Sequence, residues 1–212
     1  MMYKKATLLF SLATFTTGCT PMKDLPDYVV INNPKSSDTA VLRKPAQHFT
    51  FPLSEEDKEL VQILIDKFDQ EENCAGLAAP QIGISKRVIV FEVKDEEDLK
   101  KWRPDLNQTM PKTVWLNPSY EPIGEEKTAD YEGCFSVDDL AGPVARYTTV
   151  RYMAFTPEGK KVEGTAHGFL ARVIQHEVDH INGRCFVDLV PESELFSIEE
   201  YRKKRQNAMK SD

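Results

Sequence analysis

The chain has 212 residues, of which 41% are hydrophobic and 29% charged, and its formal net charge is −7. That length suits one domain with a proper core, and the acidic balance argues against DNA or RNA as the main partner, because phosphate contacts need a basic surface. Four cysteines, Cys19, Cys74, Cys134 and Cys185, are too few and too scattered for a disulfide framework.

The first residues are not ordinary globular sequence. A basic start, MMYKK, precedes the apolar ATLLFSLATFTT and then GCTP. The apolar run is shorter than the ~20 residues of a membrane-spanning helix. The pattern resembles a bacterial lipoprotein signal over residues 1–18, with cleavage leaving a lipid anchor on Cys19. Thr16 stands where such signals usually carry leucine, and Met22 offers an alternative start for a cytoplasmic protein. Two locations are therefore expected, a membrane surface reached through Cys19 or the cytoplasm.

Residues 19–41, rich in Pro, Asn, Ser and Asp, read as an extended lead-in. Residues 54–73 predict a helix: Ser54 with Asp57 makes a capping signature, and Leu60, Val61, Leu64 and Phe68 form an apolar stripe. A strand is predicted over 87–93, and the charge run at 94–112 reads as a solvated loop. Strands follow at 113–117 and 147–155, and TPEGKKVEG reads as a hairpin connection. A second long helix spans 167–181 and ends at Asn182-Gly183. A third closes the chain over 193–206. Strand and helix material intermingles without regular βαβ alternation, so the predicted class is α+β, with mixed or antiparallel strands around a central metal-binding helix.

That central helix carries QHEVDH, residues 175–180. At about 100° per residue, His180 lies ~40° and Glu177 ~100° from His176, on the edge of an arc built by Phe169, Val173, Leu170 and Ile174. Two histidines at i and i+4 with an intervening glutamate are a metal signature. A catalytic site usually adds a third protein ligand. The sequence tracks the zinc-protease pattern H-E-x-x-H-x-x-G through Gly183, yet Phe186 stands where the third histidine belongs. Glu192 or Glu194 could serve, although acidic residues also suit the start of a helix. His167 points away from the pair, and His48 has no supporting neighbours. Among the cysteines, Cys185 reads as a packed small hydrophobe, whereas Cys134 lies in YEGCFSV before a predicted strand.

CAGLAAPQIG (74–83), EGCFS (132–136) and QHEVDH (175–180), in this order, together resemble the three motifs of the peptide deformylases. The resemblance runs from about Leu42 to Val190. It implies a peptide-deformylase-like catalytic domain over 42–190, followed by a C-terminal helix and tail over 191–212. It nominates Cys134, His176 and His180 as ligands of one divalent ion, ferrous iron by family habit, with zinc also suited to thiolate and imidazole ligands. It further implies hydrolysis of the formyl group from N-terminal formylmethionine of newly made polypeptides, with release of formate. Glu177 would activate the metal's water, Gln81 and the backbone N–H of Phe135 would steady the oxyanion, and the Gly76 carbonyl would hold the substrate backbone.

Val173 and Phe169 are expected to wall the methionine slot, and Arg146 to touch the peptide or lie on the surface. The basic run at 202–205 could touch ribosomal RNA, as C-terminal helices do in some relatives. Two departures stand out: Cys74 occupies a usual glycine position, and Phe135 a usual leucine. Cysteine resists positive φ, so Cys74 raises a question about the conformation of its loop. A peptidase that does not need Cys134, and a surface-anchored member without turnover, are the competing readings. Intact Glu177 and Gln81 weigh against the second of these.

Overall fold

The computed structural model describes residues 24–36 and 38–209; the signal-like segment 1–18, Cys19 and Met22 lie outside the described residues. In chain order the elements are α1 (Glu55–Asp69), β1 (Gly76–Ala78), β2 (Val88–Val93), α2 (Glu97–Trp102), β3 (Met110–Pro122) and β4 (Lys127–Cys134). There follow β5 (Val137–Tyr147), β6 (Thr149–Phe155), β7 (Lys161–His167), α3 (Gly168–Ile181), the two-residue β8 (Phe196–Ser197) and α4 (Ile198–Met209). Short 3-10 turns cover Thr39–Arg43, Ala79–Ile82, Phe186–Asp188 and Glu192–Glu194.

Two antiparallel sheets result. One has five strands in the order β1-β2-β3-β6-β7, the other three in the order β4-β5-β8. The α+β class expected from the sequence is the class observed. β2 sits inside the larger sheet and is buried on both faces, as its unbroken run VIVFEV requires. Successive side chains of a strand point to opposite faces. Val88 and Val90 accordingly join Val61, Leu64 and Phe68 of α1, while Ile89, Phe91 and Val93 join Phe169, Leu170, Val173 and Ile174 of α3. Each fully buried side chain of this size contributes roughly 1.5–3 kcal/mol, so the sheet is clamped from both sides.

α1 starts where its sequence says. Ser54 Oγ accepts the backbone N–H of Asp57 at 3.1 Å. The Asp57 carboxylate does not complete the reciprocal half of a capping box; it pairs with Lys86 Nζ at 3.0 Å. The helix ends at Asp69, four residues before the expected end.

Three other segments differ from expectation. The 94–112 segment is not all loop. It contains α2, whose acidic first turn (Glu97, Asp98) and basic last turn (Lys100, Lys101) complement the helix dipole, and the first residues of β3. The strand expected at 147–155 is two strands, β5 and β6, with Thr148 between them. The closing helix begins at Ile198, after Phe196 and Ser197 have paired with Ala141 and Leu140 of β5.

α3 packs against the larger sheet and also against the β4–β5 hairpin. Its polar side is therefore buried as well: Arg172, Gln175 and Asp179 are each no more than 5% exposed. Gln175 bridges both backbone groups of Tyr147, accepting its N–H at 3.0 Å and donating to its carbonyl at 2.9 Å. The helix can enter this crevice because residue 168 is glycine. Gly168 has a φ of +53°, and a Cβ there would collide with the Asp105 carbonyl.

Candidate active site

The three sequence motifs converge on one cleft of about 440 Å³, lined among others by Gly76, Gln81, Cys134, Phe135, His176 and Glu177. α3 supplies His176 and His180, one turn apart, and the end of β4 supplies Cys134. His180 Nε2 lies 3.3 Å from Cys134 Sγ and 3.3 Å from His176 Nε2. The three ligand atoms all fall within 4.8 Å of one another, the one such cluster of metal-ligating groups among the described residues. One thiol and two imidazoles suit a divalent transition metal.

The partners behind these atoms support that use. His176 directs its Nδ1 to Glu132 Oε2 at 2.8 Å, which turns Nε2 toward the cluster. Cys134 Sγ accepts from Gln81 Nε2 at 3.3 Å and from the backbone N–H of Ser136 at 3.4 Å. Burial disfavours a charge on His176, but Cys134 and Glu132 outweigh it and hold the imidazole well above its ordinary pKa. Burial and then the neighbouring His176 keep His180 well below its ordinary value. The pair thus favours one positive charge between two imidazoles beside a thiol, a cavity whose electrostatics a cation fits.

Glu132, within the EGCFS motif, is a site residue that no local sequence pattern singles out beyond its spacing from Cys134. Burial alone would raise its pKa, yet Arg146 and His176 hold the carboxylate well below the usual carboxylate range. It accepts from Arg146 Nε and Nη2 at 3.0 and 2.9 Å and from Arg172 Nη1 at 2.8 Å. Arg146 also pairs with Asp179 of α3. Arg146 is therefore neither a peptide contact nor a surface residue; it is buried at the root of the site. Strand alternation was the available signal, since residues i and i+2 share a face and Glu132 stands two before Cys134.

Glu177 is 3% exposed, and its Oε2 has no hydrogen-bond partner. Burial pushes its pKa up to about 7. The side chain lies over Gly76, where a Cβ would come within 2.5 Å of Oε1. Gln81 is fixed at one end because its Oε1 accepts the backbone N–H of Ala78 at 2.8 Å, leaving the amide N–H groups on the cluster side. Phe135 is 39% exposed at the mouth, stacked on Tyr28 with ring centroids 4.8 Å apart. Phe169 and Val173 line the cleft as expected.

Of the remaining candidates only Cys74 lines the cleft, while Cys185 Sγ lies behind the cluster, 3.9 Å from His180 Nδ1. His48 is exposed, and His167 caps α3 and bonds Thr149 Oγ1 at 3.1 Å. Glu192 and Glu194 are exposed in a 3-10 turn. Cys185 is fully buried, with its thiol pushed up to about 12 by burial. Cys74 does not adopt positive φ; its thiol donates to the Gly76 carbonyl at 3.0 Å, and burial raises its pKa.

Fold and site together define a metal-dependent hydrolase of the H-E-x-x-H kind, with a cysteine as the third candidate ligand. The family model described as polypeptide deformylase matches residues 30–195, and the chain belongs to that family. It is 53% identical over 190 residues to "Peptide deformylase 2" of Rickettsia conorii, covering 89% of this chain and 94% of the relative. A second "Peptide deformylase 2", from Ralstonia nicotianae, is 40% identical over 153 residues, covering 70% and 80%. Among solved structures, the class I type b peptide deformylase of Acinetobacter baumannii with Met-Ala-Ser bound superposes with a TM-score of 0.66 at 30% identity, covering 78% of this chain and 98% of that one. The Synechococcus elongatus peptide deformylase in complex with actinonin gives 0.63 at 29% identity, covering 81% and 83%. The activity of this chain is accordingly hydrolysis of the formyl group from N-terminal formylmethionine of polypeptides, releasing formate.

Proposed function

We propose that Glu177 is the general base and acid of this hydrolysis, that Cys134, His176 and His180 hold one divalent ion, Fe²⁺ or Zn²⁺, and that Gln81 and Phe135 steady the developing oxyanion. The observation that carries this reading is the buried Glu177 carboxylate, with an unpartnered Oε2, in the same cleft as the three ligand atoms. A divalent ion held there would supply Lewis acidity, polarising the formyl oxygen and acidifying the attacking water.

Glu177 takes a proton from that water on Oε2. A carboxylate poised near pH 7 can both accept this proton and return it. The water oxygen bonds to the formyl carbon, whose carbonyl electrons move onto oxygen. The Gln81 Nε2–H and the Phe135 backbone N–H are the donors proposed for that charge. Collapse breaks the C–N bond; Glu177 delivers its proton to the leaving nitrogen, and the hydroxyl proton passes to the amine or solvent as formate departs.

The sheet topology supports a way of holding the substrate. β1 is the outer strand of the five-stranded sheet and β4 the outer strand of the three-stranded one, and residues of both line the cleft. An extended peptide laid between these two edges would pair with their outward backbone groups, and at the Gly76 carbonyl a substrate N–H would join or replace the Cys74 thiol. Its first side chain would then meet Phe169 and Val173.

The test pairs metal analysis with formate release from formyl-Met-Ala-Ser. Wild type is expected to hold one metal per chain and turn over. Cys134→Ser should lose metal and activity together, and Glu177→Ala should keep metal and lose activity. Full activity in Cys134→Ser would break the ligand assignment, and loss of metal in Glu177→Ala would make that glutamate a ligand. Location is a separate proposal, export with a lipid on Cys19; recovery only of soluble protein beginning at Met22 would overturn it.

A further inference from the structure

The family match ends at residue 195, and α4 begins at Ile198. This helix nonetheless lines the substrate cleft through Ile198 and Arg202. They are four residues apart, on one face of the helix. The placement is anchored. β8 pairs with β5, and Ile198 sits so close over β4 that its Cδ1 would be 3.3 Å from a Cβ on Gly133. Tyr201 packs its ring against Tyr131 of β4 and Trp102 of α2, at centroid distances of 5.9 and 6.4 Å.

Three arginines line the cleft, and two are already engaged. Arg103 gives its guanidinium to Asp130 at 2.7 Å and the Tyr131 carbonyl at 3.1 Å, and lies over the Phe169 ring. Arg172 is held by Glu132 and by the Val144 and Thr128 carbonyls. Arg202 has no hydrogen-bond or ion-pair partner among the described residues. The nearest acid on its own helix face, Glu199, is committed to Lys203 at 2.6 Å. An exposed guanidinium at the mouth of a peptide cleft, on a chain of net charge −7, is a planar two-pronged donor without an acceptor.

We propose that Arg202 binds a carboxylate of the substrate peptide, two or three residues beyond the formylated methionine. This rests on the peptide lying between β1 and β4, as the deformylase reading has it. A chain that leaves that slot past Gly133 meets Ile198 first and Arg202 one helical turn later. The carboxylate could be the C-terminus of a short formyl-peptide or an acidic side chain. The family resemblance suggests a ribosomal RNA contact for the basic run at 202–205; its first member lines the cleft.

The experiment measures binding of the product peptide Met-Ala-Ser to the metal-loaded full chain by calorimetry, against its C-terminal amide and against Met-Ala-Asp amide. KM for the matching formylated peptides is measured in parallel. Wild type should bind a carboxylate-bearing peptide about 1.5- to fivefold more tightly than Met-Ala-Ser amide, the range for one partly exposed ion pair. Arg202→Gln should close that gap, Arg202→Glu invert it and Arg202→Lys restore part of it. A gap carried by Met-Ala-Ser alone assigns the chain terminus, and one carried by Met-Ala-Asp amide assigns the side chain. Equal binding of all three by wild type, or an undiminished gap in Arg202→Gln, overturns the proposal. Absence of formate release would count against the reaction, while the binding gap would still decide the role of Arg202.

Discussion

Gly76 and Glu177 are complementary in shape: the carboxylate of one occupies the space that a Cβ on the other would fill, only 2.5 Å from Oε1. Gly76 belongs to the first sequence motif and Glu177 to the third. The contact therefore joins two motifs that are a hundred residues apart in the chain and adjacent in the site.

Gly76→Ala tests that fit. The methyl group must displace either the carboxylate or the edge strand, and a misplacement of about 1 Å at a reacting group can cost ~10²-fold. Formate release should fall by about that factor while metal content and the circular dichroism spectrum stay at wild-type values. Near-normal turnover would mean that Glu177 has slack that the packing does not suggest.

Glu177→Gln separates base chemistry from structure. The rate should fall by roughly 10²–10⁴, the usual worth of a positioned base. Stability should change in the opposite sense. Burial raises the folded pKa from 4.5 to about 7. Below pH 4.5 the carboxyl is neutral whether folded or unfolded and costs nothing. Between the two values only the unfolded chain ionises, so the destabilisation grows, and above pH 7 it is complete. Metal-stripped Glu177→Gln should therefore melt higher than metal-stripped wild type at pH 8 and equally at pH 4, read by thermal denaturation.

Glu132→Gln tests the buried charge network. Removing one partner leaves Arg146 and Arg172 buried against a neutral amide, at a cost of about 3–5 kcal/mol. The folded pKa of Glu132 is depressed below 4.5. Its contribution is therefore present in full above pH 4.5 and is lost as pH falls through the folded value. Wild-type melting temperature should drop steeply below pH 4.5, and the variant, lower at pH 7, should show less of that acid dependence. His176 Nδ1 also exchanges a charged acceptor for one neutral amide oxygen that Arg146 and Arg172 compete for, so metal affinity should fall by up to about 10–100-fold.

Tyr28→Ala tests the lead-in. Residues 28–31 tie two motif loops together: Val29 donates its N–H to the Gln81 carbonyl at 2.8 Å, and Ile31 to that of Ser136 at 3.0 Å. Beside them in the chain, Tyr28 stacks on Phe135 with an interplanar angle of 8° and donates its hydroxyl to Glu71 at 2.8 Å. Losing ring and hydroxyl should cost roughly 1–3 kcal/mol and raise KM, because Phe135 is released at the cleft mouth. Tyr28→Phe keeps the stack and should restore KM while recovering only part of the stability. Equal KM in all three proteins would confine Tyr28 to stability.

The elements that could be read from sequence were those whose burial is apolar and periodic. α1, β2 and α3 show it plainly, and the short motifs on them marked the site. The β4–β5 hairpin was legible only as a strand following Cys134, for a physical reason. Its inward residues Glu132 and Arg146 meet the polar side of α3, so the apolar alternation of a half-buried strand is missing. Pro143 also interrupts β5, the middle strand of its sheet, where proline ordinarily argues against a strand. Arg146 was misplaced for the same cause, since nothing local announces that an arginine has two buried acids waiting. α2 reads as loop because it has few apolar anchors and many charges.

The two outer strands that flank the cleft have a cost and a use. A bare strand edge invites any extended chain to pair with it, which is how sheet proteins aggregate. Here residues of two such edges, β1 and β4, line one recess, the place proposed above for the substrate peptide. A guest gripped through its amides and carbonyls is gripped regardless of what its side chains are. Such a slot is indifferent to sequence along most of its length, which is what an enzyme needs if its clients share nothing but their first residue.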